Sequence, residues 1–148
     1  MDSIVERQRA IVTEHMRCEN EHNWSGVYDT FVQDDRAHYD VIPLGATLQG
    51  IEGVRNFYGA ISAAFPDMHI EVSAEYDMRG CSIREVVITG THTGEYMGVK
   101  PLGNKVRVEL AAFYLFNEDT TKLIAERIYY DQAGLYAQLQ AKQASLSA

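Results

Sequence analysis

The segment Glu126-Arg127-Ile128-Tyr129-Tyr130-Asp131 reads as an aromatic strand that ends on an acid. An Asp at the mouth of an apolar cavity is a candidate proton carrier, because desolvation raises a carboxyl pKa towards the working pH. The same residue has a simpler reading, as the cap of the turn Gln132-Ala133-Gly134. His92, flanked by Thr91 and Thr93, is a second candidate. Its imidazole could hold a carbonyl oxygen or orient the acid, and it could equally be a satisfied structural histidine. On the first strand, His38 and Tyr39 point to opposite faces, so only one of them enters a cavity behind that strand. A Tyr hydroxyl there would stabilise a developing oxyanion. Trp24, Phe57, Tyr114 and Met97 are candidates for the apolar walls, alongside a larger set of aromatic residues that are core by default.

Other chemistry finds less support. The histidines at 15, 22, 38, 69 and 92 are scattered, so no metal-ligand array is expected. Cys18 and Cys81 share no ligand spacing and read as reduced and structural. No glycine-rich loop precedes a helix in the manner of a phosphate cradle. Thirteen basic against twenty-one acidic residues give a net charge of -8, which disfavours nucleic acid as a partner. No apolar run is long enough for a membrane helix, and no signal core opens the chain, so a cytoplasmic location is expected.

The positioning elements follow from periodicity. Residues 3–22 read as an amphipathic helix capped by Ser3 with Glu6, its buried stripe carrying Ile4, Ile11, Val12, His15 and Met16. A short helix is expected from Trp24 to Phe31, a strand from Ala37 to Ile42, and a helix over 52–64. Strands are expected at His69–Met78, Cys81–Tyr96, Lys105–Phe116 and Leu123–Asp131, with bends at Gly90 and Gly94 and a helical turn in Leu135 to Gln140. Helices first and long antiparallel strands afterwards make an α+β domain over residues 1–148, a curved sheet wrapped around helices as a cone with one open end. Such a concavity suits a hydrophobic small molecule.

Five short segments, in order, carry a resemblance: Gly50 to Phe57, Ala64-Phe65-Pro66-Asp67-Met68, Thr89 to Tyr96, Gly98 to Gly103, and Asp131 with Leu135 and Gln138-Leu139. Together they resemble the SnoaL-like polyketide cyclases of the NTF2-like fold, with Leu102 and Gln140 departing where that family usually has threonine and glycine. The resemblance implies ring closure or isomerisation of a medium-sized, polyketide-like carbonyl compound without cofactor or metal. It also implies Asp131 as acid/base, His92 in the pocket, and a homodimer. Two alternatives stay open. One is a hydrolase or dehydratase that activates water, which expects Arg107, Glu109 or Arg127 inside the cavity. The other is a non-catalytic binding module, which expects an exposed Asp131 or a filled cavity.

Overall fold

The computed structural model describes residues 2–142. Helix α1 covers Ser3–Asn20. Its cap is Asp2 rather than Ser3: the Asp2 carboxylate accepts the Ile4 N–H at 2.9 Å. Helix α2, Trp24–Asp29, is capped by Asn23, and a Cβ at Gly26 would lie 2.6 Å from Cys18 Sγ. Strand β1 (His38–Val41) leads through a 3-10 turn into β2 (Ala46–Gln49), a short strand that the sequence reading did not resolve. Helix α3 (Gly50–Ala64) follows, packed so closely on β2 that a Cβ at Gly53 would meet the Leu48 carbonyl carbon at 2.6 Å.

The long strands are β3 (His69–Met78), β4 (Cys81–Thr91), β5 (Lys105–Phe116) and β6 (Leu123–Tyr130), followed by helix α4 (Gln132–Gln140). All six strands form one curved, unclosed sheet in the order β2-β1-β6-β5-β4-β3. Consecutive long strands are antiparallel, as expected, but β1 lies parallel to β6, with Tyr39 opposite Glu126. The register shifts fall between Val72 and Ala74 and between Leu115 and Phe116, not at Gly90, which pairs regularly with Val106. Strand β4 stops at Thr91, short of Gly94.

Several of the segments that carry the resemblance are tied to one another around the end of α3. Asp67 accepts the Thr91 N–H and hydroxyl, both at 2.7 Å. The N–H groups of Thr93 and Gly94 donate to the Ala64 carbonyl at the end of α3. A Cβ at Gly94 would sit 2.2 Å from the Ala63 carbonyl oxygen, so this approach needs glycine. Helix α4 docks through side chains that imitate backbone. Gln138 bonds both the N–H and the carbonyl of Arg107, at 2.7 and 2.9 Å, and Asn104 donates to the last carbonyls of the helix. Leu139 is fully buried beneath it.

Candidate functional site

Helix α1 carries a polar stripe into the core. Gln8, His15 and Glu19 are 0%, 0% and 5% exposed, on the same face as Val12. Gln8 is spent on the turn after β3, bonding the Met78 carbonyl and the Gly80 N–H. His15 and Glu19, one turn apart, meet Glu126 of β6. The His15 Nε2 lies 2.9 Å from Glu19 Oε1 and 3.0 Å from Glu126 Oε1. Burial alone would lower the imidazole pKa, but the two carboxylates overcome it and hold it at about 10. Burial pushes the Glu19 carboxyl up, opposed by the charge of His15.

The two glutamates are solvated differently by the protein. Glu126 accepts the Tyr39 hydroxyl at 2.6 Å and the Tyr58 hydroxyl at 3.0 Å. Glu19 Oε1, equally buried, has His15 Nε2 at 2.9 Å but, among the described residues, no well-aligned hydrogen bond and no phenol. Burial, with the nearby carboxylates, drives the Tyr39, Tyr58 and Tyr114 phenols well above their ordinary pKa, so all three remain donors at neutral pH.

Glu19, Glu126, Tyr39, Tyr58 and Tyr114 form the polar end of a cavity of about 90 Å³. The rest of its lining is mostly apolar, among it Phe57, Phe65, Ile88, Val108, Ile128 and Leu135, with Thr89, Tyr96 and Tyr130 also present. A dry protein cavity of about 150 Å³ holds benzene. The space therefore fits a compact group, and a larger ligand must protrude or displace a wall.

Of the expected wall residues, Tyr39, Phe57 and Tyr114 line this cavity. Tyr39 is the inward member of β1, stacked on Phe57 at 3.8 Å. His38 faces away: its Nδ1 bonds the Arg36 carbonyl and its Nε2 lies 3.7 Å from Asp40. Trp24 packs behind the wall, against Tyr58 and His22. Met97 is 43% exposed in a turn with φ 50°, outside the cavity. His92 is fully buried but separate from the cavity, tilted on Phe65 at 5.5 Å, with neither ring nitrogen hydrogen-bonded. Its backbone is what the loop uses, pairing with Asn104 and Gly103.

Asp131 is the main correction. Its carboxylate is exposed and caps α4, accepting the Gly134 N–H at 2.9 Å. Gly134 leaves it room, since a Cβ there would lie 2.3 Å from Asp131 Oδ2. Strand parity is the reason. Glu126, Ile128 and Tyr130 point into the cavity, which puts Arg127, Tyr129 and Asp131 on the other side. That alternation was the signal for Glu126: an acid in register with inward apolar positions. Arg107 and Glu109 pair with each other at 3.3 Å on the exposed face, and Arg127 pairs with Asp40 at 3.1 Å, so none of the three supplies a polar group to the cavity. Replacing Asp131 with Ala should cost about 0.5–2 kcal/mol through the lost cap, and Asn should restore most of it. Urea unfolding of the two variants checks this.

The family model for SnoaL-like polyketide cyclases matches residues 9–139. The chain belongs to this family. No curated protein matches it in sequence. Among solved structures, the SnoaL-like chain is similar to a candidate SnoaL-like polyketide cyclase from Jannaschia sp. CCS1, at TM-score 0.86 and 17% identity, covering 97% of this chain and 98% of that one. It is also similar to a ketosteroid isomerase-like protein from Catenulispora acidiphila DSM 44928 solved with trimethylamine. There the TM-score is 0.72 and the identity 19%, over 89% of this chain and 93% of that one. An NTF2-like protein of unknown function from Burkholderia pseudomallei K96243 matches at TM-score 0.75 and 13% identity, over 91% and 98%. These likenesses establish the NTF2-like cone for this SnoaL-like chain.

Proposed function

We propose that the chain is a proton-transfer enzyme of the cyclase or isomerase type, acting on a carbonyl compound whose reacting part fits the cavity. The observation that carries this reading is the contrast between two buried carboxylates at one cavity end. Glu126 is held by two phenols, while Glu19 offers an oxygen with no aligned donor. Two carboxyl groups in unlike surroundings divide the work of acid/base chemistry.

In this scheme the Glu19 carboxylate takes a proton from the carbon next to a carbonyl. The C–H electron pair becomes an enolate, and the Tyr114 hydroxyl, on the same cavity end, donates a hydrogen bond to its oxygen. Isomerisation is completed when Glu19 returns the proton to another carbon. Cyclisation is completed when the enolate carbon attacks a second carbonyl and Glu19 protonates the new alkoxide. Glu126 keeps His15, Tyr39 and Tyr58 in place. Asp131 keeps its helix cap and takes no part.

The test is α-hydrogen exchange in D₂O, followed by NMR, on cyclohexanone as a compact probe and 2-tetralone as a larger one. Exchange above the buffer rate that disappears in Glu19→Gln supports the scheme. Binding without exchange leaves a ligand-binding module, the alternative that the exposed Asp131 already suits.

We also infer a homodimer through the outer sheet face. Tyr76, Ile83 and Phe113 form one cross-strand row, and Tyr129 packs on Phe113 at 5.5 Å. Tyr76, Met78 and Tyr129 are 51%, 53% and 43% exposed there, an apolar patch of the kind that pairs with a second copy. Sedimentation should give twice the chain mass, and Tyr76→Glu should return the monomer mass.

A further inference from the structure

The proton pattern around His15 points to a second occupant of the cavity's polar end. Thr30 Oγ1 gives its only proton to the Val27 carbonyl at 2.6 Å, so at 2.9 Å from His15 Nδ1 it accepts. Nδ1 therefore carries a hydrogen, and the ring presents Nε2 to Glu19 and Glu126. Tyr58 gives its proton to Glu126, so it offers His15 Nε2 an acceptor at 3.1 Å and no donor. Among the described residues, the polar groups within reach of Nε2 are all oxygen acceptors. Something positive must stand between them, either a proton on Nε2 or a cation.

The spacing suits a cation. One ligand atom from each of His15, Glu19 and Glu126 lies within 4.8 Å of the other two. Ligands bound at about 2.1 Å and at right angles around one ion are about 3.0 Å apart, and at the tetrahedral angle about 3.4 Å. The two nitrogen-to-oxygen separations are 2.9 and 3.0 Å. The supports that a metal site needs are also built. Thr30 fixes the imidazole tautomer, and Tyr39 holds the outer oxygen of Glu126 at 2.6 Å. Glu19 Oε1 is buried, lies 2.9 Å from Nε2 and has no well-aligned hydrogen bond among the described residues. Both glutamates line the cavity, so further coordination positions open into it.

We infer that His15, Glu19 and Glu126 form a binding site for a divalent first-row transition ion, with open positions facing the cavity. One proton leaves Nε2 when the ion enters, and its two positive charges offset the two carboxylates. Proton and ion are alternatives at one point. If Glu19 carries protons as proposed above, the ion blocks that role and suppresses exchange; the site itself does not rest on that reading.

The test begins with chelator-treated chain titrated with Co²⁺ and, separately, Zn²⁺. Calorimetry follows binding, and the visible spectrum of Co²⁺ reports its ligands. One equivalent is expected, with nitrogen and oxygen ligation. Glu19→Gln and Glu126→Gln, each checked for folding by circular dichroism, should weaken binding at least tenfold. Thr30→Val, which touches no ligand atom, should weaken it roughly 10–100-fold by freeing the ring. No saturable binding, or binding that these three variants leave unchanged, overturns the site. The exchange assay is run with chelator present. Loss of exchange alone then counts against the proton-transfer scheme, and loss of metal binding alone counts against the cation site.

Discussion

Glu19→Gln is expected to slow α-hydrogen exchange by about 10²–10⁴-fold, the range that a positioned general base contributes. The substitution keeps the shape of the side chain and removes the charge. Glu19→Gln also removes one partner of the buried His15 ion pair, so its folding is checked by circular dichroism before the rate is read. Asp131→Asn is the matched comparison, and its rate should stay within about twofold of the parent, since it removes a charge outside the cavity. The reverse pattern, with Asp131→Asn inactive and Glu19→Gln active, would sink the scheme and return the acid/base role to the strand-end aspartate.

The second large effect concerns stability. Arg84 is 2% exposed, and its guanidinium meets Asp77 at 3.0 Å, with Arg9 of α1 on the carboxylate's other oxygen. Asp77→Ala leaves a buried guanidinium unpaired, which typically costs 3–5 kcal/mol. Against a total of about 5–15 kcal/mol, that is a large share. The melting temperature should fall by roughly 6–20 °C for a chain of this size. The pH dependence has a definite sign. Burial works to raise the Asp77 pKa, and contacts from Ser82, Arg84 and Arg9 outweigh it, leaving it below 3.8. Its contribution is therefore complete above pH 3.8 and is lost as pH falls through the folded-state value. Wild type should lose stability on that acid limb, and Asp77→Ala should lack that part of the loss. A variant within 1 kcal/mol of wild type at pH 7 would show that Arg84 finds other partners.

The elements that were legible in the sequence are those with strong periodicity. The amphipathic stripe of α1 and three of the four long strands fall where alternation and turn residues put them, to within a residue. Strand β2 is four residues long and gains its identity only by pairing with β1, so no local pattern announces it. The parallel seam between β1 and β6 is likewise a tertiary fact. The site was legible in part. Tyr39, Phe57 and Tyr114 line the cavity, but in the sequence Tyr39 and His38 were equal candidates and the other two stood among a larger aromatic set, because only the sheet decides which face is inside. His15 was legible as a member of the buried stripe, but its role, and Glu19 one turn on, were hidden, because their partner Glu126 arrives from over a hundred residues away. Asp131 and His92 lie outside the cavity for one reason: a motif marks positions that matter, and here those positions serve local structure, as a helix cap and as loop backbone.

The parallel seam has a consequence for how the chain is made. Tyr39 leaves the ribosome long before Glu126, its hydrogen-bond partner and sheet neighbour. During synthesis α1 and the β1–β2 hairpin can form, but they wait for the strand between them and the rest of the sheet, which comes last. Until β6 inserts, β1 and β5 each present an unpaired edge, the kind of surface on which nascent chains aggregate. Such long-range pairing also slows folding. A chain interrupted before residue 123 would lack not one strand of six but the junction joining its early and late halves.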